Sequence, residues 1–461
     1  MSGERLIGTL RSALSFLHSR YRLRFTRREQ LEAWQARQLK YFLRRVLPQS
    51  QRFKGKVVTD LSTLPLMDKA TLMGDFAGFN TRGLSLEEVL PLARQAEVSR
   101  DFSPTLGDIT VGLSSGTSGN QGVFLVSSLE RQRWAGILLA RALPRHLLPR
   151  LLLPWHAPLR IAFFLRANSR LYTTLASRRI DFAFHDLTLG FDAALARLNT
   201  QQPDVLVAPA TVLRGLAEAE LAGRLSIRPS HILSVAEVLE TADAEGVQAA
   251  FGVAPRQIYQ ASEGFLGYTC ENGTLHLNES HLHIEADWLD AARTRFQPII
   301  TDFSRRTQLI VRYRLNDVLR VAQAPCACGR VERAIAAVEG RVDDILWLPD
   351  LSGVQLRALY PDVLRRTLLM HGECLQEYEI HQQGLHWQIN VQSAANYADL
   401  CQALMQSIHA LCCQQGLQLP ALSFGQWQPP PAYAKRRRLK LLHGHVRFAI
   451  ASDTRPFLVE A

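Results

Sequence analysis

Between about residues 105 and 340 the chain alternates β-prone runs with helical stretches, and this alternation most limits the folds open to it. Arg160–Leu165, Val205–Ala208, Ile232–Val235 and Leu309–Arg314 read as strands, whereas Phe191–Asn199 and Val212–Ala222 read as helices. Strands that arrive one at a time with helices between them predict a layered α/β body. Beyond Gly340 the pattern changes. Tyr378–Gln382 and Leu385–Val391 read as a hairpin and Tyr397–Gln414 as a helix, before Pro429-Pro430-Pro431 and a basic run. We expect an α/β chain with a large multi-layer body over residues 1–340, opening with a helical segment over 1–60, and a smaller α+β domain over 341–461. With 461 residues, 47% of them hydrophobic, two such cores can be filled. No internal repeat or long low-complexity tract interrupts them.

The net charge of +11 gathers in the first 57 residues and in Lys435-Arg436-Arg437-Arg438-Leu439-Lys440. Nucleic acid is not the expected partner, because no zinc-finger, homeodomain or RRM signature is present. The basic N-terminal region also carries Leu31, Trp34, Leu39, Phe42, Leu43 and Val46 at the spacing of a packed helix. A solvated basic face, or one that attracts an anionic substrate or a membrane surface, is the expected reading, which leaves peripheral membrane contact open. Apolar runs such as Leu151–Trp155 and Ile161–Leu165 fall well short of the ~20 residues that span a bilayer. Arg5, Arg11 and Arg20 interrupt Leu6, Leu10, Leu14, Leu17 and Tyr21, so the N-terminus reads as an amphipathic helix and not as a secretory signal. Seven cysteines without such a signal imply reduced thiols and a cytoplasmic home. The sequence does not reveal the oligomeric state.

Ser114-Ser115-Gly116-Thr117-Ser118-Gly119-Asn120-Gln121-Gly122 lies between the β-prone runs Asp108–Leu113 and Val123–Val126. Glycines let backbone N–H groups approach a polyphosphate, and Ser and Thr hydroxyls add donors, so the loop suits a nucleotide. Neither the lysine nor the helix of a Walker loop follows. A Gly/Ser hairpin turn without a ligand is equally compatible with this stretch alone.

Four further segments follow in order: Ser234-Val-Ala236-Glu237-Val-Leu239, Tyr259-Gln-Ala-Ser262-Glu263-Gly264, Arg312-Tyr-Arg-Leu-Asn-Asp317 and Gly340-Arg341-Val-Asp-Asp344. With the glycine-rich loop, the series resembles the adenylate-forming enzyme superfamily. Within it, the branch of phenylacetate-CoA ligases and the archaeal synthetase that adenylylates a deazaflavin coenzyme is the most similar, through Leu64-Pro-Leu-Met-Asp-Lys69 and Pro325-Cys-Ala-Cys-Gly329. The resemblance runs from about residue 30 to 350 and recurs weakly near Lys435.

The resemblance implies ATP and Mg²⁺ as cofactors, a carboxylic acid as substrate, an acyl-AMP intermediate with pyrophosphate release, and CoA as the expected acceptor. Transfer to an amine or a carrier protein, AMP transfer to a hydroxyl, and a nucleotide-binding protein without turnover remain alternatives. It places Ser114, Ser115, Gly116, Thr117, Ser118 and Gly119 on the phosphates, and Ala236, Glu237, Tyr259 and Ser262 along the nucleotide. Glu263 would hold Mg²⁺ near the α-phosphate. Asp317 would take the ribose hydroxyls, with Arg341 at a hinge beside it. Lys435, with Lys440 as its neighbour, would be delivered by a mobile C-terminal domain. Two departures are visible: Gln121 and Gly122 stand where relatives often have Pro and Lys, and Asn316 replaces a Gly. Asn tolerates a left-handed backbone best among the alternatives. Phe163–Ser169, passing from apolar to polar, could line an acyl pocket or simply end a buried strand.

Cys270-Glu-Asn-Gly-Thr-Leu-His276 and Cys326-Ala-Cys328 bring three thiols and an imidazole from two turn-forming segments. The set suits a closed structural zinc site without an open position for chemistry, against free buried thiols with His276 on a strand. Cys374, Cys401, Cys412 and Cys413 read as packing residues.

Overall fold

A computed structural model describes residues 3–114, 122–165, 170–186, 190–372, 374–429 and 438–442. The chain divides into two compact units, Met1–Leu315 with Arg320–Ala337, and Asn316–Leu319 with Val338–Ala461.

The first unit opens with α1 (Gly3–Leu17), α2 (Arg28–Tyr41), α3 (Lys69–Gly74) and α4 (Leu86–Ser99). Strands β1 (Ile109–Leu113) and β2 (Val123–Ser127) follow, then α5 (Ser128–Ala142), α6 (Leu148–Leu152), β3 (Leu159–Leu165), α7 (Arg170–Thr173), β4 (Ile180–Asp186), α8 (Phe191–Gln201) and β5 (Val205–Ala208). Helix α9 (Ala210–Leu221), β6 (His231–Ser234), α10 (Thr241–Phe251), β7 (Arg256–Ala261), β8 (Gly264–Thr269) and β9 (Leu275–Leu277) lead to β10 (His283–Trp288), β11 (Arg295–Thr301) and β12 (Tyr313–Arg314). At β13 (Asp317–Val321) and β14 (Ala334–Arg341) the chain passes between the units.

One sheet takes the order β10-β11-β13-β14-β9-β8-β7-β6-β5-β3-β4, with β12 on β11. From β4 through β7 its neighbours are parallel, and from β7 through β9 they are antiparallel. Parallel strands covered on both faces favour near-continuous apolar runs, and Val205–Ala208 and His231–Ser234 are wholly buried, with His231 Nε2 satisfied by Ala142 O at 2.9 Å. Alternate side chains then serve opposite cores. Ile161, Phe163, Val205 and Val207 pack with Ala135 and Leu138 of α5, whereas Ala162, Phe164, Leu206 and Ala208 pack with Leu198, Leu213, Leu216 and Val247 of α8, α9 and α10. The result is three layers.

One of the expected strands needs correcting. Leu309–Arg314 is a strand only at its end, because its earlier part is held by other segments. Leu309 N donates to Phe79 O at 2.8 Å and Met67 N to Arg312 O at 3.0 Å. Arg312 takes φ +45°. Its guanidinium donates to both Glu285 oxygens at 3.0 Å and to the carbonyls of Ser62 and Leu64, so it fixes the Leu64–Lys69 segment. The stripe of Leu10, Leu14 and Leu17 is exposed and is not the packed face of α1. Helix α1 lies on α5 through Gly8, Ser12, Ser15 and Phe16, since a Cβ on Gly136 would meet Ser12 O at 2.3 Å.

Helix α2 is fastened to the turn between β9 and β10. Gln35 Nε2 donates to the carbonyls of Glu279 and Leu282, and Arg28 grips the buried Glu279 carboxylate at 2.6 and 2.9 Å. That charge-assisted pair raises the Arg28 pKa.

The second unit continues from β14 with β15 (Leu346–Pro349), β16 (Leu356–Leu359), α11 (Pro361–Leu369), β17 (Leu375–Gln383), β18 (His386–Ser393), α12 (Tyr397–Gln415), β19 (Ala421–Gln426) and β20 (Leu439–Leu441). A four-stranded sheet of order β19-β18-β17-β20 packs its fully buried Trp387, Ile389 and Val391 against Leu400, Leu404 and Ile408 of α12. The expected β17–β18 hairpin is present. Cys412 is buried in this core, but Cys413 is exposed and does not pack.

Candidate functional site

Ala236, Glu237, Ser262 and Glu263 lie just beyond the carboxyl ends of β6 and β7, with Tyr259 on β7. In an open parallel sheet this edge is where ligands bind, because each strand must turn there and its loops converge. Ala236 takes φ +66°, a costly conformation for a residue with a Cβ and one that concentrates at binding sites. The Glu237 carboxylate accepts from Thr211 N at 3.0 Å and Thr211 Oγ1 at 2.9 Å, so it caps α9, and the strained turn offers a ligand its backbone.

Glu263 occupies the turn from β7 to β8 and is half-buried. Ser262 Oγ donates to its Oε2 at 3.1 Å, and Arg305 Nη2 donates to Ser262 O at 2.8 Å. The hydroxyl of buried Tyr313 also bonds to Glu263. Burial first, then the Glu263 charge and its hydrogen bond, push the Tyr313 pKa upward, so the phenol stays a donor. The same phenol senses Asp68.

The next residue closes the site. A Cβ built on Gly122 would lie 2.8 Å from Lys69 Cε, 3.7 Å from Lys69 Nζ and 3.3 Å from Ser114 Oγ. Ser114 and Gly122 are joined across the base of the loop, with Ser114 N donating to Gly122 O at 2.7 Å and Gly122 N to Ser114 Oγ at 2.9 Å. They extend the β1–β2 hairpin, whose last pair is Leu113 with Val123. Ser115, Gly116, Thr117, Ser118 and Gly119 lie outside the described residues. Met67, Asp68 and Lys69 thus connect the loop base to Tyr313 and Glu263, with Met67 bridged to Tyr313. In the sequence Lys69 is the last residue of the Leu64–Lys69 motif, and nothing there gives it or Tyr313 a role. The signal for Lys69 was the missing lysine at Gly122, a gap that another cation could fill.

No family model matches the chain, and no curated protein matches its sequence. Its structure is similar to 2-hydroxyisobutyryl-CoA ligase in the postadenylation state with 2-HIB-AMP, at TM-score 0.59 and 15% identity over 90% of this chain and 89% of that one. It is also similar to the same ligase in an open conformation with 2-HIB-AMP and CoA, at TM-score 0.53 and 15% identity over 89% and 91%. The fold is that of the adenylate-forming ligases.

Within the adenylate-forming fold, Asp317 and Arg341 belong to the second unit, at the start of β13 and the end of β14. That unit brings their two segments together. Val342 N donates to Asn316 O at 3.0 Å, and Asn316 Nδ2 donates to Asp343 Oδ2 at 2.6 Å. Asn316 is not among the described residues with positive φ, so its side chain, and not a left-handed backbone, accounts for it. Lys435 lies outside the described residues. Lys440, on β20, is ion-paired with Glu379, whose carboxylate also meets His381 Nε2 at 2.9 Å. Phe163 packs against Tyr172 at 4.8 Å and Phe182 at 5.6 Å between ring centres, and Tyr172 meets Trp134 edge-on at 5.9 Å. Trp134 Nε1 reaches Gln260 Oε1 at 3.3 Å, which places this aromatic cluster against the end of β7. Of the run Phe163–Ser169, residues 166–169 lie outside the described residues.

The cysteine cluster forms as a tight group. One donor atom from each of Cys270, His276, Cys326 and Cys328 lies within 4.8 Å of the others. Cys270 Sγ and Cys326 Sγ are 3.7 Å apart, and Cys328 Sγ is 3.4 Å from His276 Nε2. A tetrahedral zinc with bonds of about 2.3 Å to sulfur and about 2.0 Å to nitrogen sets edges of roughly 3.8 and 3.5 Å. The donor set fits. Buried His276 has Nδ1 at 2.9 Å from Glu332 O, and a carbonyl only accepts, so the proton sits on Nδ1 and the Nε2 lone pair faces the thiols.

Proposed function

We propose that the chain activates a carboxylic acid with ATP and Mg²⁺, releases pyrophosphate, and passes the acyl group to CoA. The connection from Ser114 and Gly122 through Lys69 and Asp68 to Tyr313 and Glu263 carries this reading, because it joins a polyphosphate grip to a metal-binding carboxylate. A carboxylate oxygen of the acid attacks the α-phosphorus, the bond to the bridging oxygen of pyrophosphate breaks, and pyrophosphate leaves with that electron pair. The acceptor thiol, losing its proton, then attacks the acyl carbon and AMP departs. Both steps need charge neutralised where it accumulates, and fixed cations and dipoles supply that without reorganising.

In this reading Lys69 provides the charge that Gly122 lacks, and the glycine is required because the lysine stem fills the space of a side chain. Glu263, oriented by Tyr313 and Ser262, would hold Mg²⁺, which would supply charge neutralisation at the phosphates. Asp317 takes the ribose hydroxyls, Arg341 sits at the hinge, and Lys435 acts in adenylation. The cluster around Phe163, Tyr172 and Trp134 favours an acid with an apolar or aromatic body. Support for CoA comes from the similar fold of the ligase bound to 2-HIB-AMP and CoA. Cys270, His276, Cys326 and Cys328 would hold a structural zinc, which takes no part in the chemistry. The test is a screen of carboxylic acids for pyrophosphate release from ATP. Release that depends on one class of acid supports the reading, and ATP left unchanged with every acid in a broad panel contradicts it.

A further inference from the structure

The N-terminal helix presents an apolar ridge to solvent. Ile7, Leu10, Leu14, Leu17 and Tyr21 are 50%, 59%, 57%, 46% and 54% exposed. On an ideal α-helix the four positions from Ile7 to Leu17 share an arc of about 80°, and Tyr21 follows in the π-helical turn His18–Arg22. The opposite side is the seated one: Ser19 is buried with its hydroxyl 3.1 Å from His281 Nε2, and Gly8, Ser12 and Ser15 lie against α5. The ridge therefore points away from the body.

Charge decides what would cover it. From Arg5 to Arg28 the sequence holds seven arginines and no Asp or Glu. Arg20 is committed to the carbonyls of Ala140 and Leu143, and Arg28 to Glu279, but Arg11, Arg22, Arg24 and Arg27 are exposed. Arg11 flanks the apolar arc, and Arg22 lies in the turn that follows α1. A second copy docked ridge to ridge would set these arginines against their own kind within a Debye length of about 8 Å. A lipid surface offers both complements at once, with hydrocarbon for the ridge and anionic headgroups for the arginines. We infer that α1 and the turn after it form an interfacial anchor that seats the protein on an anionic membrane surface. The inference is independent of the proposed reaction. Among the described residues no helix is long and apolar enough to cross a membrane, so the contact is peripheral.

Flotation of the full chain with vesicles tests it, comparing phosphatidylcholine alone with phosphatidylcholine containing phosphatidylglycerol. The bound fraction should rise with the anionic lipid and fall as NaCl goes from about 0.1 to about 0.5 M. Leu10→Glu/Leu14→Glu should abolish binding while the melting temperature stays close to the parent value, since both side chains face solvent. Arg11→Glu/Arg22→Glu should remove the preference for anionic lipid. The inference is overturned if the parent chain binds anionic vesicles no better than neutral ones, or if the leucine variant binds as the parent does. It is equally overturned if the parent is a dimer that the leucine variant converts to a monomer, which would give the ridge to a second copy.

Discussion

Glu263, in the turn from β7 to β8, and Glu130, in the first turn of α5, differ in how far their carboxylate oxygens are already satisfied. Glu263 is half-buried, takes Ser262 Oγ and the Tyr313 hydroxyl, and keeps coordination capacity for a cation. Glu263→Gln keeps the shape but removes the charge. Adenylate formation should fall on the order of 10²-fold, the scale of losing one fixed electrostatic contact in the transition state, with an unchanged melting temperature. Near-parent rates in a steady-state pyrophosphate assay would contradict the metal role. Glu130 is buried and saturated, accepting from Ser127 N and Oγ at 2.7 and 2.6 Å, Arg306 N at 2.6 Å, and Thr307 N and Oγ1 at 2.9 and 2.5 Å. Burial alone would raise its pKa, but these hydrogen bonds outweigh it and hold the pKa below 4.5. A depressed carboxyl pKa stabilises the fold above pH 4.5 and loses that contribution as the pH falls through the folded value. Glu130→Gln should cost about 3 kcal/mol near neutrality and flatten the acid limb of stability against pH. Chemical denaturation at a series of pH values reads both effects.

At the scale of elements, the central strands were legible as β-rich runs, because β5 is wholly apolar and β6 carries Ile232 and Leu233 at its centre. The two runs that pair as β1 and β2 were legible as β-prone, with a hairpin turn as one of two readings of the glycine-rich stretch between them. What escaped was tertiary. Leu309–Arg314 carries strand residues, but hydrogen bonds to Phe79 and Met67 take it out of regular pairing. The face on which α1 packs was hidden because a glycine on another helix selects its small residues. Lys69 was invisible as a site residue because its partner, Gly122, is distant in sequence and has no side chain to suggest it. The thiols of Cys270, Cys326 and Cys328 were legible through ligand type and spacing, and the Glu332 carbonyl that sets the His276 tautomer was not. If they hold zinc, purified protein should carry close to one equivalent per chain, and Cys326→Ser should lose both the metal and several degrees of thermal stability. Metal analysis with parallel melting curves checks this, and a stable, zinc-free parent protein would contradict it.

The whole molecule is two compact units, with Glu263 in the first and Asp317 and Arg341 in the second. A reaction with an adenylating and a transferring step can use the same two units in different arrangements, and then a lysine of the second unit serves one step alone. Lys435→Ala should therefore lose acyl-AMP synthesis by on the order of 10²-fold or more while still transferring the acyl group from supplied acyl-AMP to CoA. Single-turnover assays of the two half-reactions read this separately. Equal loss in Lys440→Ala alone would move the role to a residue that is ion-paired with Glu379 on β20. The central claim is reversible formation of an enzyme-bound acyl adenylate, and isotope exchange between labelled pyrophosphate and ATP measures that step without CoA. Exchange should appear only when the carboxylic acid is present, and it should collapse in Glu263→Gln. Exchange that proceeds without the acid, or none with any acid while ATP still binds, would contradict the account.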